Sequence, residues 1–356
     1  MADSPPSILL TGGAGFIGSA LVRHWLAHET TSIVNLDKLT YAGLPASLAG
    51  VLNDPRHRLI EGDVADAALV GALLAAHRPR AVLHLAAETH VDRSIDQPPQ
   101  FVQTNVLGAC TLLDQTTRYW RTLNGPEQEA FRFLLVSTDE VFGSAAPGAQ
   151  FHADSPLAPS SPYAASKAGA EHLAHAFMHT YGLPVLTVNP TNNYGPRQLP
   201  EKLIPKMILA AARREPLPLY GDGLHERDWL HVDDCCRAIR AVLHGGRLGR
   251  RYLAGAGACR SNLSVTQQIC DLVDERLADG GRRRQLIRQV ADRLGHDRRY
   301  AVDSGPLRGE LSWRPEVDFA AGLAATVDWY LSNPAWTADA EVALGHRGEV
   351  ANSQQA

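Results

Sequence analysis

Tyr163 and Lys167 stand four residues apart in the stretch SPYAASK, which begins at Ser161. On a helix that spacing puts both on one face. An ammonium near a phenol favours the phenolate, so the phenol is expected to be drawn toward working pH. Tyr163 then becomes a base for a substrate hydroxyl. Ser160 or Ser161 can cap the helix, and Pro162 suits its first turn. A second reacting pair is Asp139-Glu140, in the run Ser137-Thr138-Asp139-Glu140. Adjacent carboxyls push their ionisations apart, which lets one act as acid while the other acts as base. The residue types alone do not decide which does which. The bland alternatives are a chance Tyr/Lys pair on a surface helix and a solvated turn. Against them, Asp139-Glu140 follows the apolar run Phe133 to Ser137 and precedes the apolar Val141-Phe142.

Residues Thr11 to Gly18 read TGGAGFIG, with glycines at 12, 13, 15 and 18. A short apolar strand precedes them and a helix containing Phe16 and Ile17 follows, the context that a dinucleotide fingerprint requires. Gly12, Gly15 and Gly18 permit a tight turn and close approach of a pyrophosphate, which the helix N-terminus attracts. Asp37 closes the next strand. Its carboxylate can accept hydrogen bonds from an adenosine ribose and would repel a 2′-phosphate, which favours NAD over NADP. The competing reading is that Asp37 only caps its turn. Asp63, after the third strand, is placed to reach the adenine. Leu85, Ala86 and Ala87, after the fourth, lie where the chain passes close to the cofactor.

These groups need a scaffold, and the pattern supplies one. Strands are expected at Ser7 to Thr11, Ser32 to Leu36, His57 to Ile60, Ala81 to Leu85, Phe133 to Ser137 and Val185 to Val188. Helices are expected at Phe16 to His28, Ala65 to His77, Gln100 to Tyr119 and Pro162 to Tyr181. Alternation of this kind predicts an α/β protein with a Rossmann-type doubly wound parallel sheet. Past residue 190 prolines become frequent and strands short. The expected organisation is a dinucleotide-binding domain over 1–190, also completed by segments near 228–260. A smaller mixed α/β substrate lobe follows over 191–340, then a disordered tail over 341–356. Ser144 to Leu157 is expected to be a loop.

The chain has 356 residues and a formal net charge of -4, so no global basic field holds nucleic acid or an anionic membrane. No apolar run reaches the length of a membrane span, and the first residues do not read as a signal peptide. A cytoplasmic protein is expected. Five scattered cysteines suggest reduced thiols. Cys235 and Cys236 are expected on a helix, one inward and one sideways. His172, His175 and His179 have helical spacing but no carboxylate or thiol to complete a site, so no metal is expected. The basic stretch from Arg282 to Arg299 reads as a solvated helix plus one phosphate clamp.

With those residues in view, the chain resembles the extended short-chain dehydrogenase/reductase family, and within it the dTDP-glucose 4,6-dehydratases. The matching stretches include TGGAGFIGSA, LDKLTYAG, HLAAETHVDRSI, STDEVFG, SPYAASKAGAEHL, NNYGPRQLPEKLIP, ERDWLHVDD and DRLGHDRRY, and run from about Ile8 to Trp336. The resemblance implies NAD as cofactor and dTDP-glucose as the nucleotide-sugar substrate. It makes Asp139 the acid and Glu140 the base of an elimination across sugar carbons 5 and 6, with Thr138 on the 4-oxygen. It adds Lys38, Thr40, Val64, Thr104 and Asn193 to the cofactor residues. For the substrate it nominates Thr89, Asn192, Lys202, Leu203, Arg227, Asn262, Arg293 and His296, with Pro218 to Tyr220 along the base. Arg227 and Arg293 suit a pyrophosphate because guanidinium binds its oxygens bidentately. Thr89, Phe142, Pro190 and Thr191 depart from the family's usual residues without removing a required group. The resemblance also implies a homodimer, through a four-helix contact made by the Gln100 to Tyr119 and Pro162 to Tyr181 helices. Two rival readings share the fold: a nucleotide-sugar epimerase or decarboxylase, and a non-catalytic NAD-binding protein.

Overall fold

A computed structural model describes residues 6–353, with side chains described through residue 345. Six strands form in the expected places: β1 (Ser7–Thr11), β2 (Ser32–Asp37), β3 (His57–Glu61), β4 (Ala81–His84), β5 (Arg132–Val136) and β6 (Val185–Pro190). The smaller elements that follow are β7 (Asn192–Tyr194), β8 (Leu217–Tyr220), β9 (Glu226–His231), β10 (Arg251–Ala254), β11 (Cys259–Ser261) and β12 (Ile287–Val290). The main sheet runs β10-β6-β5-β4-β1-β2-β3, and every pairing in it is parallel. All five residues of β1 are buried, as a strand covered on both faces requires. The strand order reverses between β1 and β4. Ligands of such sheets bind at that crevice, beyond the carboxyl ends of the strands.

The helix Phe16–His28 starts at Gly15, which offers no side-chain cap and so leaves its first N–H groups for a ligand. Leu21, Val22 and Trp25 anchor it in the sheet's core together with Cys235, Ile239 and Val242 of the helix Val232–Gly245. A second apolar cluster joins Tyr194, Ile204, Ile208, Trp229, Val265, Ile269, Leu323 and Tyr330. It carries β7 and β9 and thereby holds Asn192, Asn193 and Arg227.

Four expectations are corrected. The helix expected at Gln100 to Tyr119 begins at Pro98, and its stretch Val102–Gly108 is wound more widely than an α-helix before Ala109–Trp120 continues. The wider winding turns Asn105 inward. Its amide accepts from the Glu88 N–H at 2.8 Å and donates to Ser166 Oγ at 2.8 Å, so one buried side chain ties the loop after β4 to the Tyr163 helix. Cys235 and Cys236 are both fully buried, because their helix is enclosed by the first helix on one side and β6 on the other. The basic stretch contains no long helix: Arg283 is buried against Asp274 and Asp279, and Arg298 and Arg299 pair with Asp222 and Glu226. The segment expected as a disordered tail is helical as far as Ser353. Trp336 and Ala340 bury in the second cluster and Arg213 holds Glu341 bidentately, which anchors that helix at its start. Residues 354–356 of the expected tail lie outside the described residues.

Candidate active site

A cavity of about 410 Å³ opens at the strand reversal. Every residue expected to touch the cofactor lines it: Gly12, Gly15, Phe16, Ile17 and Gly18, then Asp37, Lys38 and Thr40, Asp63 and Val64, Leu85 to Ala87, Thr104, Tyr163, Lys167 and Asn193. The glycine turn fits a pyrophosphate on steric grounds. Gly12 has φ +75°, and a Cβ there would sit 2.6 Å from the Ala86 backbone nitrogen. At Gly15 such a Cβ would stand 3.3 Å from the Gly12 carbonyl oxygen, tighter than ordinary contact, so the turn favours glycine there as well.

Asp37 caps its turn and also faces the cavity. Its Oδ2 accepts from the Ala14 N–H at 2.8 Å and its Oδ1 from the Leu39 N–H at 2.9 Å, so it braces the glycine loop and its own turn. The same carboxylate forms part of the cavity wall, where its remaining lone pairs can take ribose hydroxyls. Lys38 bridges to Asp63 at 2.6 Å across the adenosine end.

At the other end of the cavity, Ser161 caps the Tyr163 helix by accepting from the Ala164 N–H. Tyr163 is buried, with Phe101 edge-on at 6.4 Å. Lys167 donates to the Val136 carbonyl at 2.8 Å, and burial pushes its ammonium down to about 8. The expected lowering of the phenol by Lys167 is not what the protein alone sets up. Burial raises Tyr163 above its ordinary value, the Glu140 charge adds to that, and the Thr138 hydroxyl pulls the other way. The physical reason is that the ammonium is aimed at the strand's carbonyl while two carboxyls lie on the phenol's side.

Asp139 and Glu140 form a short turn at the end of β5, with the Thr138 hydroxyl accepting from the Glu140 N–H. They differ in environment. Asp139 is buried, and its Oδ2 has no hydrogen-bond partner among the described residues. Burial and then the Glu140 charge hold its carboxyl well above the usual range. Glu140 is also raised by burial, but Arg293, Arg227 and Lys202 oppose the rise. The two neighbouring carboxyls thus stand in different environments, which a pair dividing acid and base work requires.

Behind the turn runs a chain of polar contacts. Arg251 binds Glu171, Glu171 accepts from Asn189 at 2.6 Å, and Asn189 donates to the Thr138 carbonyl at 2.9 Å. Tyr300 donates to Asp297 at 2.8 Å and reaches Glu140 at 3.5 Å. Sequence reasoning missed Asn105, Asn189 and Tyr300. Asn105 follows the polar Gln103 and Thr104 and does not stand out among them, and the other two act on partners far along the chain.

The substrate nominations divide. Thr89, Thr138, Asn192 and Lys202 line the cavity, and Lys202 is held by the Thr89 carbonyl at 2.8 Å. Leu203, Pro218, Tyr220, Arg227, Asn262, Arg293 and His296 lie outside its wall, around β8, β9 and the segment after β12. Tyr220 and Arg293 meet at Asp92, and the Tyr220 ring stands edge-on to His296. Arg227, nominated for the pyrophosphate, is already engaged within the protein. It is buried over the Tyr300 ring at 4.2 Å, and its terminal nitrogens donate to the carbonyls of Glu226 and Asp297. Its charge therefore acts on the carboxyl pair. Asn192 Oδ1, Asn262 Oδ1 and Arg293 Nε are buried without partners among the described residues, as groups awaiting a polar ligand would be.

A reversed parallel sheet with a glycine turn, an acid ending its second strand and a Tyr-x-x-x-Lys helix beside the cleft defines a dinucleotide-dependent enzyme of the short-chain dehydrogenase/reductase type. Comparison narrows this. The family pattern described as GDP-mannose 4,6 dehydratase matches residues 9–326. A dTDP-glucose 4,6-dehydratase of Xanthomonas campestris pv. campestris (strain B100) is 52% identical over 330 residues, 92% of this chain and 94% of the relative. The Escherichia coli (strain K12) dTDP-glucose 4,6-dehydratase 1 is 46% identical over 338 residues, with the same shares covered. The crystal structure of DesIV, a dTDP-glucose 4,6-dehydratase from Streptomyces venezuelae with NAD and TYD bound, superimposes with a TM-score of 0.85 at 45% identity, over 93% of this chain and 98% of that one. The chain belongs to the nucleotide-sugar 4,6-dehydratase family, among the dTDP-glucose 4,6-dehydratases.

Proposed function

We propose that this enzyme converts dTDP-glucose to dTDP-4-keto-6-deoxyglucose and water, with NAD as a cofactor regenerated in each turnover. The observation that carries the reading is the presence of Tyr163, Asp139 and Glu140 on the wall of the one cavity that also holds the glycine turn. An epimerase or decarboxylase would need the phenol but not the carboxyl pair.

Gly12, Gly15, Gly18 and Asp37 would hold NAD, with Tyr163, Lys167 and Asn193 at its nicotinamide end. Bound NAD supplies a hydride acceptor at sugar carbon 4 and, later, a hydride donor at carbon 6. Tyr163 takes the proton of the 4-hydroxyl, with Thr138 on the same oxygen. The ketone acidifies the carbon 5 proton, which the Glu140 carboxylate removes. Asp139, held neutral by its surroundings, gives its proton to the 6-hydroxyl, which leaves as water. Glu140 then returns a proton to carbon 5. The proton gained by Tyr163 and the one lost by Asp139 balance through solvent. Arg293, His296, Asn262 and the Pro218–Tyr220 strand bind the nucleotide, while Lys202 and the Leu203 helix terminus close over the sugar.

Incubation with dTDP-glucose should give a product with the alkali-induced absorbance of a keto-deoxy sugar. Epimerised nucleotide sugar without that chromophore would overturn the reading. Asp37→Ala is expected to weaken NAD binding by roughly 10- to 100-fold, as losing charge-assisted hydrogen bonds of about 1.5–3 kcal/mol implies. Fluorescence titration checks it, and unchanged affinity would return Asp37 to a turn cap.

A homodimer fits the surface. Val102 and Leu107 are 53% and 48% exposed on the widely wound segment, and Tyr181 is 44% exposed at the end of the Tyr163 helix. Pairing these two helices across a two-fold would cover all three. A monomeric mass by light scattering would contradict that arrangement. No helix among the described residues is long and apolar enough to cross a membrane. Five unpaired cysteines suit a reducing, cytoplasmic setting.

A further inference from the structure

We infer that Tyr41 is a positioning residue for the cofactor: its hydroxyl, bonded to Glu88, latches the loop after β2 across the cleft and keeps NAD bound from the first hydride transfer to the second. Residues 38–43 form that loop. Lys38, Thr40, Ala42 and Gly43 line one side of the cavity, and Glu88, Thr89 and Gln100 line another. β2 and β4 flank β1 in the sheet, so the loop after β2 and the segment after β4 stand on either side of the glycine turn that ends β1. The Tyr41 hydroxyl donates to Glu88 Oε2 at 3.2 Å and joins the two. Both residues are buried, at 4% and 6% exposure. Among the described residues no other hydrogen bond or ion pair connects 38–43 with 85–100.

Both ends of this contact are held in place. Leu39 has φ +50°, a left-handed conformation that is costly for a residue with a Cβ, and the Asp37 carboxylate fixes it by accepting from the Leu39 N–H at 2.9 Å. Further on, the Leu44 N–H donates to the Ala14 carbonyl at 3.0 Å, and the Ala42 carbonyl oxygen lies 3.8 Å from the place a Cβ would take on Gly15. The loop therefore runs beside the glycine turn. The Tyr41 ring is buried in the second apolar cluster with Leu44 and Leu199, and the Arg93 guanidinium lies over it at 4.0 Å. Burial, then the charges of Glu201 and Glu88, raise the phenol above its ordinary value, so it stays a donor. On the other side, Asn105 grips Glu88 by both backbone groups. Its Oδ1 accepts from the Glu88 N–H at 2.8 Å, and its Nδ2 donates to the Glu88 carbonyl at 3.0 Å. Gln100 donates to the second carboxylate oxygen at 3.3 Å. A buried hydrogen bond between two fixed groups must break before the two sides separate, and breaking it adds to the barrier for release. The need for such a bond follows from the proposed reaction, on which this part of the inference rests. The hydride taken from carbon 4 goes back to carbon 6, so NADH that escapes in between strands an oxidised sugar. A dehydrogenase that exchanges its cofactor in every turnover has no use for such a bond.

The test is the rate at which enzyme loaded with isotopically labelled NAD exchanges it for unlabelled NAD, with no sugar nucleotide present. Tyr41→Phe keeps the ring and its packing and removes only the hydroxyl. It should release NAD at least about tenfold faster than the wild type, the worth of one hydrogen bond to a charged group. Binding of dTDP to the NAD-saturated enzyme, read by calorimetry, should be unchanged, because the nucleotide lobe takes no part in the contact. Glu88→Gln removes the charge that the hydroxyl meets and should also speed release; it carries the test if Tyr41→Phe fails to fold by circular dichroism. The double variant should release NAD no faster than Tyr41→Phe alone, as partners in one contact require. Exchange at the wild-type rate in Tyr41→Phe, or in Glu88→Gln if only that variant folds, would overturn the latch. So would accelerations that multiply in the double variant, or an equal weakening of dTDP binding. With no sugar present, these outcomes hold whatever reaction the enzyme catalyses. Failure of the proposed reaction shows separately, as absence of the keto-deoxy product from the wild type.

Discussion

Tyr163→Phe is expected to lower kcat on dTDP-glucose by about 10²- to 10⁴-fold, the usual worth of a positioned acid–base group. The removed atom is the only phenolic oxygen on the cavity wall among the described residues. Phe101 packs on the ring's edge, so the variant ring keeps its place and the change is confined to the hydroxyl. Substrate and NAD affinities should hold within a few-fold, because an interaction made chiefly in the transition state appears in kcat rather than in KM. Mixing enzyme, NAD and substrate in a single turnover should show almost no reduced nicotinamide in the variant, since the block falls at the first proton transfer. Wild-type turnover in Tyr163→Phe would remove the phenol from the reaction and leave the non-catalytic rival standing. With Lys167 directed at the Val136 carbonyl, the phenol must be ionised against burial and two neighbouring carboxyls. The rise of kcat/KM with pH that ionising this phenol produces should therefore disappear in the variant.

The glycine turn, Asp37 and the Tyr163 helix were readable because each rests on short-range rules. A strand, a tight turn and a helix start lie within about a dozen residues, and Tyr163 and Lys167 share a face by helical period alone. Asp139-Glu140 was readable as a pair, but its division of labour was not. The asymmetry comes from Arg293 and Lys202, which oppose the rise of Glu140, and from the burial and the Glu140 charge that raise Asp139. Residues that act across the chain were invisible for the same reason. Tyr300 meets Glu140 from 160 residues away, and the Asn105 contact with Ser166 depends on a helix winding that no apolar period encodes. The last helix was misread because its glycines and polar residues resemble a tail, whereas Trp336 and Ala340 supply the burial that holds it.

Glu140→Gln is expected to separate the reaction into halves. Oxidation at carbon 4 needs Tyr163 and leaves Glu140 idle, so reduced nicotinamide should still form in the variant and then accumulate. Elimination needs a base at carbon 5, and its loss should cost about 10²- to 10⁴-fold in product formation. Deuterium from solvent should no longer wash into carbon 5. Equal loss of both halves would mean that Glu140 positions the sugar rather than moving a proton. Asp139→Asn tests the other carboxyl and carries a stability signature with a definite sign. The folded protein holds Asp139 above its unfolded value of about 3.9. Its folding is therefore linked to proton uptake at higher pH, a cost absent below the unfolded value and growing as pH rises toward the folded one. The amide has no such cost. Its Tm advantage over the wild type should be nil in acid and widen toward neutrality, while turnover falls. A variant that loses activity yet gains stability with rising pH identifies Asp139 as an acid kept protonated for use, and a Tm difference independent of pH would show that it ionises freely and cannot be the proton donor.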